Sequence, residues 1–223
     1  MNNDYIFLPA KKHEYTIILL HGMNETTESL LKLTYKLIKK YQNLKIILPN
    51  TPKINITWPE ETEKNINSWY NYFTRYDGLM KHDKIDENNF YKQVKRINKI
   101  IDKEVKLLDG KSENIMIGGF SQGGTLALHI GLNYHEQLGC IIGIHTILLD
   151  ITKVTDKCQK IPIYLFSGNK DQIYNIRLQN LSLKKLRKLK YEIIWKIIKN
   201  LKHSEYSKYE YPFIIKAIHN IIK

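Results

Sequence analysis

Cysteine is scarce: only Cys140 and Cys158 occur in 223 residues, and neither belongs to a Cys-x-x-Cys pair. That argues against a disulfide framework and against a cysteine-rich zinc site, and makes a reducing, cytoplasmic compartment the expectation. No apolar run reaches the ~18 residues of a membrane span, and Met1-Asn2-Asn3-Asp4 lacks the basic-then-apolar layout of a secretory leader. Asn2 in place of glycine removes the myristoylation motif. There is no internal repeat, low-complexity tract or linker, so residues 1–223 read as one domain.

Acidic residues are also short, 22 against 35 Lys and Arg, for a formal charge of +13. Such a field draws anionic partners. The basic residues, however, are spread along the chain. Their densest cluster, Lys184, Lys185, Arg187, Lys188 and Lys190, is interleaved with Leu183, Leu186 and Leu189, the pattern of a solvated helix face. Nucleic acid is therefore not expected as a partner. A transient, salt-sensitive contact with an anionic membrane surface is compatible with the charge.

What the chain has in quantity is short apolar runs of strand length, at 16–20, 45–48, 115–117, 140–144, 161–166 and 193–198. They are continuous rather than alternating, as strands covered on both faces should be. Between them lie helical spacings: Leu30, Leu33, Leu37 and Tyr41, then Val94, Ile97, Ile101, Val105 and Leu108, and finally Ile214, Ala217, Ile218 and Ile221 after Pro212. Strand and helix alternate, which predicts an α/β class with a mostly parallel central sheet flanked by helices. Residues 49–86, with Trp58, Trp69 and several tyrosines, show no clear period and are expected to form an ordered excursion over one end of the sheet.

The chemistry concentrates at Gly119-Phe120-Ser121-Gln122-Gly123, a Gly-x-Ser-x-Gly placed after a strand and before a helical pattern. A sharp strand-to-helix turn pushes a serine hydroxyl outward, and the glycines allow close backbone approach. The bare motif arises by chance in roughly one chain in fifteen of this length, so its context carries the weight. A serine needs a base, and the base needs an orienting acid. His129 and His135 run away from the turn along the following helix, His145 precedes every good acid, and His219 lies within the terminal helix. His203, just past the last strand, is the candidate base. Asp171, in a glycine-containing turn after the run at 161–166, is favoured as acid over Asp150 and Asp156; an ordinary surface carboxylate or a helix cap is the alternative for any of the three. The N–H of Gln122, next to the nucleophile, is one candidate oxyanion donor, and Met23 in the early His21-Gly22-Met23 turn is the other. No cofactor and no metal are expected.

These residues resemble the acyl-protein thioesterase and small carboxylesterase (lysophospholipase-like) family of α/β hydrolases, over nearly the whole chain. Leu20-His21-Gly22-Met23 is similar to that family's oxyanion loop, Ser68-Trp69-Tyr70 to its segment beside the acyl pocket, and Ser167-Gly168-Asn169-Lys170-Asp171 to its acid motif. Ile101-Asp102-Lys103-Glu104-Val105 resembles the helix before the elbow, Gly119-Phe120-Ser121-Gln122-Gly123-Gly124 matches the elbow itself, and Lys202-His203-Ser204 matches the base loop. The resemblance implies hydrolysis of acyl thioesters or esters through an acyl-enzyme, with palmitoylated proteins or lipid esters as substrates. It also implies that Leu20, His21 and Trp69 contact substrate. A general carboxylesterase or lysophospholipase shares the mechanism; an inactive hydrolase fold used for binding is the other class. Oligomeric state is left open. The chain departs from the family at Asn24-Glu25, at Asn169, at Tyr174-Asn175, and at His145, where a small serine is typical.

Overall fold

Aliphatic runs without polar alternation belong in strands covered on both faces, and that is where they lie in the computed structural model, which describes residues 4–74, 84–154, 161–205 and 207–222. Asp156, Cys158 and residues 75–83 of the aromatic stretch lie outside the described residues. In chain order the elements are β1 (Tyr5–Phe7), β2 (Tyr15–Leu20), α1 (Leu31–Lys40), β3 (Leu44–Leu48), β4 (Lys53–Thr57), β5 (Thr62–Asn67) and α2 (Glu87–Leu107). Then follow β6 (Ile115–Phe120), α3 (Ser121–Asn133), β7 (Cys140–Ile144), β8 (Ile163–Gly168), α4 (Ile176–Ser182), α5 (Lys184–Lys188), β9 (Ile193–Ile198) and α6 (Glu210–His219).

Seven strands form the main sheet in the order β1-β3-β2-β6-β7-β8-β9. All neighbours are parallel except the edge strand β1, which runs antiparallel to β3. The register aligns Ile6, Ile47, Ile18, Ile117, Ile141, Ile163 and Ile193 in a single row across the sheet. The five from Ile47 to Ile163 are buried against α2 and α3, which contribute Ile97, Ile101, Leu126 and Ile130. Each such side chain contributes roughly 1.5–3 kcal/mol through burial. The alternate residues of the same strands, Ile17, Ile46, Met116, Ile142 and Tyr164, face the opposite layer, where α1 supplies Leu33 and Leu37 and α6 supplies Ile214 and Ile218. One ion pair is enclosed in this packing: Lys45 Nζ lies 2.6 Å from Glu104 Oε1, and Thr16 donates to Glu104 Oε2 at 3.0 Å.

Three features differ from the expectation. The short edge strand β1 was not anticipated. The stretch at 49–86 contains a two-stranded antiparallel hairpin, β4 with β5, whose pattern is blurred by a register shift between Ile54 and Ile56. Helix α6 begins at Glu210, two residues before Pro212, because proline is tolerated in a first turn whose N–H groups have no helical acceptor. The basic cluster lies on α5 and the turn after it, with Leu183 and Leu186 buried and the lysines exposed. Among the described residues, no helix is long and apolar enough to cross a membrane.

Candidate active site

Because β2, β6, β7, β8 and β9 are parallel, the segments that follow them gather at one edge of the sheet, the place where such sheets bind ligands. Ser121 stands between β6 and α3 with φ of +49°, a left-handed backbone uncommon for a residue with a side chain. The turn closes only because its neighbours lack side chains. A Cβ on Gly119 would meet the Gly123 carbonyl carbon at 2.6 Å, and a Cβ on Gly123 would collide with the His21 carbonyl oxygen.

The loop after β9 brings His203 Nε2 to 2.8 Å from Ser121 Oγ. The loop after β8 brings Asp171, whose Oδ2 and Oδ1 lie 2.8 and 3.0 Å from His203 Nδ1. Asp171 Oδ1 also accepts from the N–H groups of Ile173 (2.9 Å) and Tyr174 (2.7 Å). Burial pushes this carboxyl upward. The hydrogen bonds with His145 and His203, the His203 charge and the Tyr174 N–H outweigh that and hold it at about 2. The carboxylate is thus ionised through the neutral range and acts only as an acceptor. His203 Nδ1 must then carry the proton, which leaves Nε2 free to accept from Ser121. The Tyr174 ring stands edge-on to the His203 ring at 5.5 Å. The alternative acid, Asp150, is exposed and pairs with Lys185 at 3.7 Å.

The loop after β2 carries Met23 to the cleft that holds Ser121. Asn24 takes the left-handed φ of +60°, a conformation that asparagine tolerates better than most residues other than glycine. Its N–H donates to the Asn67 carbonyl at the end of β5, at 2.8 Å. Glu25 accepts from the Gly22 N–H (3.0 Å) and the Ser29 hydroxyl (3.1 Å). The departure at Asn24-Glu25 therefore yields a braced loop. The N–H of Gln122 lies in the first turn of α3, where no helical carbonyl is available to it.

The family resemblance implies that Leu20, His21 and Trp69 contact substrate. All three are fully buried and none lines the cleft. Trp69 instead donates its indole N–H to the His21 carbonyl at 2.8 Å. The Gln122 side chain accepts from the Trp69 N–H (2.9 Å) and the Ser68 hydroxyl (3.0 Å) and donates to the Tyr70 carbonyl (2.9 Å). Segment 68–70 thereby ties the Met23 loop to the Ser121 turn. An aromatic in this motif position reads the same in sequence whether it faces ligand or core, so only its burial separates the two.

The cleft itself encloses about 300 Å³, at the small end for ligand sites. Met23, Leu30, Phe120, Ile144 and Tyr211 supply apolar wall, and Glu25, Glu205 and Glu210 supply acid. Glu210, in the first turn of α6, was not anticipated. Burial raises its carboxyl to about 7 against the opposing influence of His145 and the Ser207 backbone. His145, dismissed as a base, sits against the acid: its Nδ1 is 3.3 Å from Asp171 Oδ2. Among the described residues, His145, Asp171 and His203 are the one group of metal-ligating type with donor atoms within 4.8 Å. Both Nδ1 atoms and the carboxylate are engaged with one another.

Comparison with known proteins came to the same architecture. A family model described as Phospholipase/Carboxylesterase matches residues 1–220. An acyl-protein thioesterase 1 from Schizosaccharomyces pombe is 30% identical over 82% of this chain and 80% of its own length. Another, from Gibberella zeae, is 28% identical over 89% and 87%. Among solved structures, Arabidopsis thaliana SOBER1 superposes with a TM-score of 0.76 at 22% identity, covering 94% of this chain and 99% of that one. Zea mays acyl-protein thioesterase 2 gives 0.78 at 17%, covering both chains in full. At these identities the two structures speak to the fold alone.

Proposed function

Because this chain belongs to the phospholipase/carboxylesterase family of α/β hydrolases, we propose that it hydrolyses acyl thioesters or esters through an acyl-enzyme on Ser121, with protein-bound acyl-cysteine as the principal substrate. The reaction class, serine-type hydrolysis of acyl esters and thioesters, comes with the family. The assignment of roles rests on one observation, the unbroken series from Ser121 Oγ to His203 to Asp171 with contacts of 2.8 Å at both junctions.

In this reading His203 Nε2 takes the Ser121 proton as Oγ attacks the acyl carbon, and the oxygen that becomes negative is met by the N–H groups of Met23 and Gln122. Collapse breaks the bond to the leaving sulfur or oxygen, which receives the proton from His203. A water molecule then repeats the sequence: it gives its proton to Nε2, attacks the acyl-Ser carbonyl, and releases the free acid and the serine. Asp171 holds the tautomer and balances the imidazolium charge throughout. The thioester preference is supported by the names of the S. pombe and G. zeae relatives. The charge of +13 supports weak docking to anionic vesicles.

A fluorophosphonate probe tests the roles: Ser121 of the wild type is expected to label and Ser121→Ala not to. Turnover of a palmitoyl-thioester peptide, a lysophospholipid and a short-chain ester then tests the substrate. Faster lysophospholipid turnover overturns the thioester preference. Absence of labelling on folded protein overturns the whole reading. Vesicle co-sedimentation that is unchanged by added salt would dismiss the membrane contact.

A further inference from the structure

We propose that His145 is a positioning residue for Asp171: a second imidazole that donates from Nδ1 to Oδ2 and fixes the carboxylate against His203. The proposal rests on the triad reading above. Three observations carry it. His145 is buried, and its Nδ1 lies 3.3 Å from Asp171 Oδ2. Its backbone is left-handed, with φ of +49°, and non-glycine residues hold that conformation only where the surroundings enforce it. Those surroundings include the catalytic turn: the His145 N–H donates to Phe166 O at 2.8 Å, and the next side chain, Thr146, bonds Thr125 of α3 at 2.8 Å and the Ser121 carbonyl at 3.4 Å.

The chemistry follows from the acceptor. An ionised carboxylate cannot donate, so both imidazoles must present N–H at Nδ1 to bond it. Asp171 then has two backbone N–H groups on Oδ1, His145 on Oδ2, and His203 reaching both oxygens. A second donor on Oδ2 spreads the carboxylate charge and weakens its hold on a protonated His203. The titratable groups facing His145 are Asp171, His203 at a ring separation of 5.6 Å, and Glu210, whose charge acts on it and which Glu25 opposes in turn. Among the described residues the buried His145 Nε2 atom meets no hydrogen-bond partner, which suits an unprotonated nitrogen better than a desolvated donor.

The test uses two substitutions that tolerate φ of +49°. His145→Gly deletes the donor, and His145→Asn keeps an N–H near the position of Nδ1 without a group that titrates. In His145→Gly the acid limb of the kcat/KM profile should move to higher pH by about half a unit to one unit, a fraction of the worth of one hydrogen bond to a charged carboxylate. Plateau kcat should fall by between about twofold and tenfold on the same basis. His145→Asn should keep the wild-type limb. The shift should persist in a Glu210→Gln background, which removes the other carboxyl that bears on His145. Coincident profiles for His145→Gly and wild type, or a His145→Asn profile that follows His145→Gly, would overturn the proposal. Should His145→Gly not fold, nitrogen NMR of the wild type decides: a His145 protonated at Nε2 rather than Nδ1 overturns it. Fluorophosphonate labelling of wild-type Ser121 in the same samples separates the two readings, since labelling with unshifted profiles removes the role of His145 alone.

Discussion

Replacing Asp171 by asparagine changes one atom's chemistry and leaves the volume unchanged, and the hydrogen bonds dictate how the amide will sit. Two backbone N–H groups, from Ile173 and Tyr174, donate to Oδ1, so the asparagine carbonyl takes that position and its NH2 takes the place of Oδ2. That NH2 faces the Nδ1 atoms of His203 and His145. The NH2 opposite Nδ1 favours rings that accept there and carry their protons on Nε2. His203 Nε2 then donates toward Ser121 Oγ and cannot remove its proton. The expected loss is ~10⁴ in kcat, about 5 kcal/mol of barrier. The fold should persist, with a shifted acid response. Asp171 is held near 2 against an ordinary 3.8, so the wild type has about 2 kcal/mol of stability above pH 4 that disappears as pH falls toward 2. Asp171→Asn should lack that particular loss. Steady-state hydrolysis of a chromogenic ester gives kcat, and urea melts between pH 2 and 6 give the stability profile. A kcat within about tenfold of wild type in folded Asp171→Asn, with Asp150→Asn crippled instead, would refute the assignment.

Both Ser121→Gly and Ser121→Ala should be inactive, but the glycine variant should be more stable by about 1 kcal/mol, since it alone relieves the left-handed φ; equal urea midpoints would show that the turn stores no strain. Trp69→Phe removes the N–H that holds His21 O and should lower kcat about tenfold with KM little changed, as one lost buried hydrogen bond predicts. A KM effect that grows with acyl length would return Trp69 to the substrate pocket. Glu210 is raised from 4.5 to about 7, so its neutral form stabilises the fold below pH 4.5 and roughly 3 kcal/mol is lost as pH rises through 7. Glu210→Gln should abolish that decline, and identical stability profiles would show that the carboxyl is not buried in solution.

Much of this was legible because it is local in the chain. Apolar continuity at 16–20, 140–144 and 193–198 announces buried strands whatever the partners, since the period belongs to the backbone. The glycines around Ser121 mark a turn whose close backbone approach leaves no room for a Cβ on Gly119 or Gly123. The order of nucleophile, acid and base pointed to Asp171 and His203, and the structure brings both to Ser121. What only the tertiary structure decided involves residues that meet across long stretches of chain. Trp69 and His21 are 48 residues apart and His145 and Asp171 are 26 apart, and nothing in their immediate neighbourhoods distinguishes a brace from a binding residue. The hairpin at 53–67 was hidden by its register shift and by strands exposed along much of their length, which carry no apolar signature. Burial of Glu210 depends on the packing of α6 beside the cleft. A carboxyl's charge state follows from the surfaces that surround it, and those surfaces come from segments that only the fold brings together.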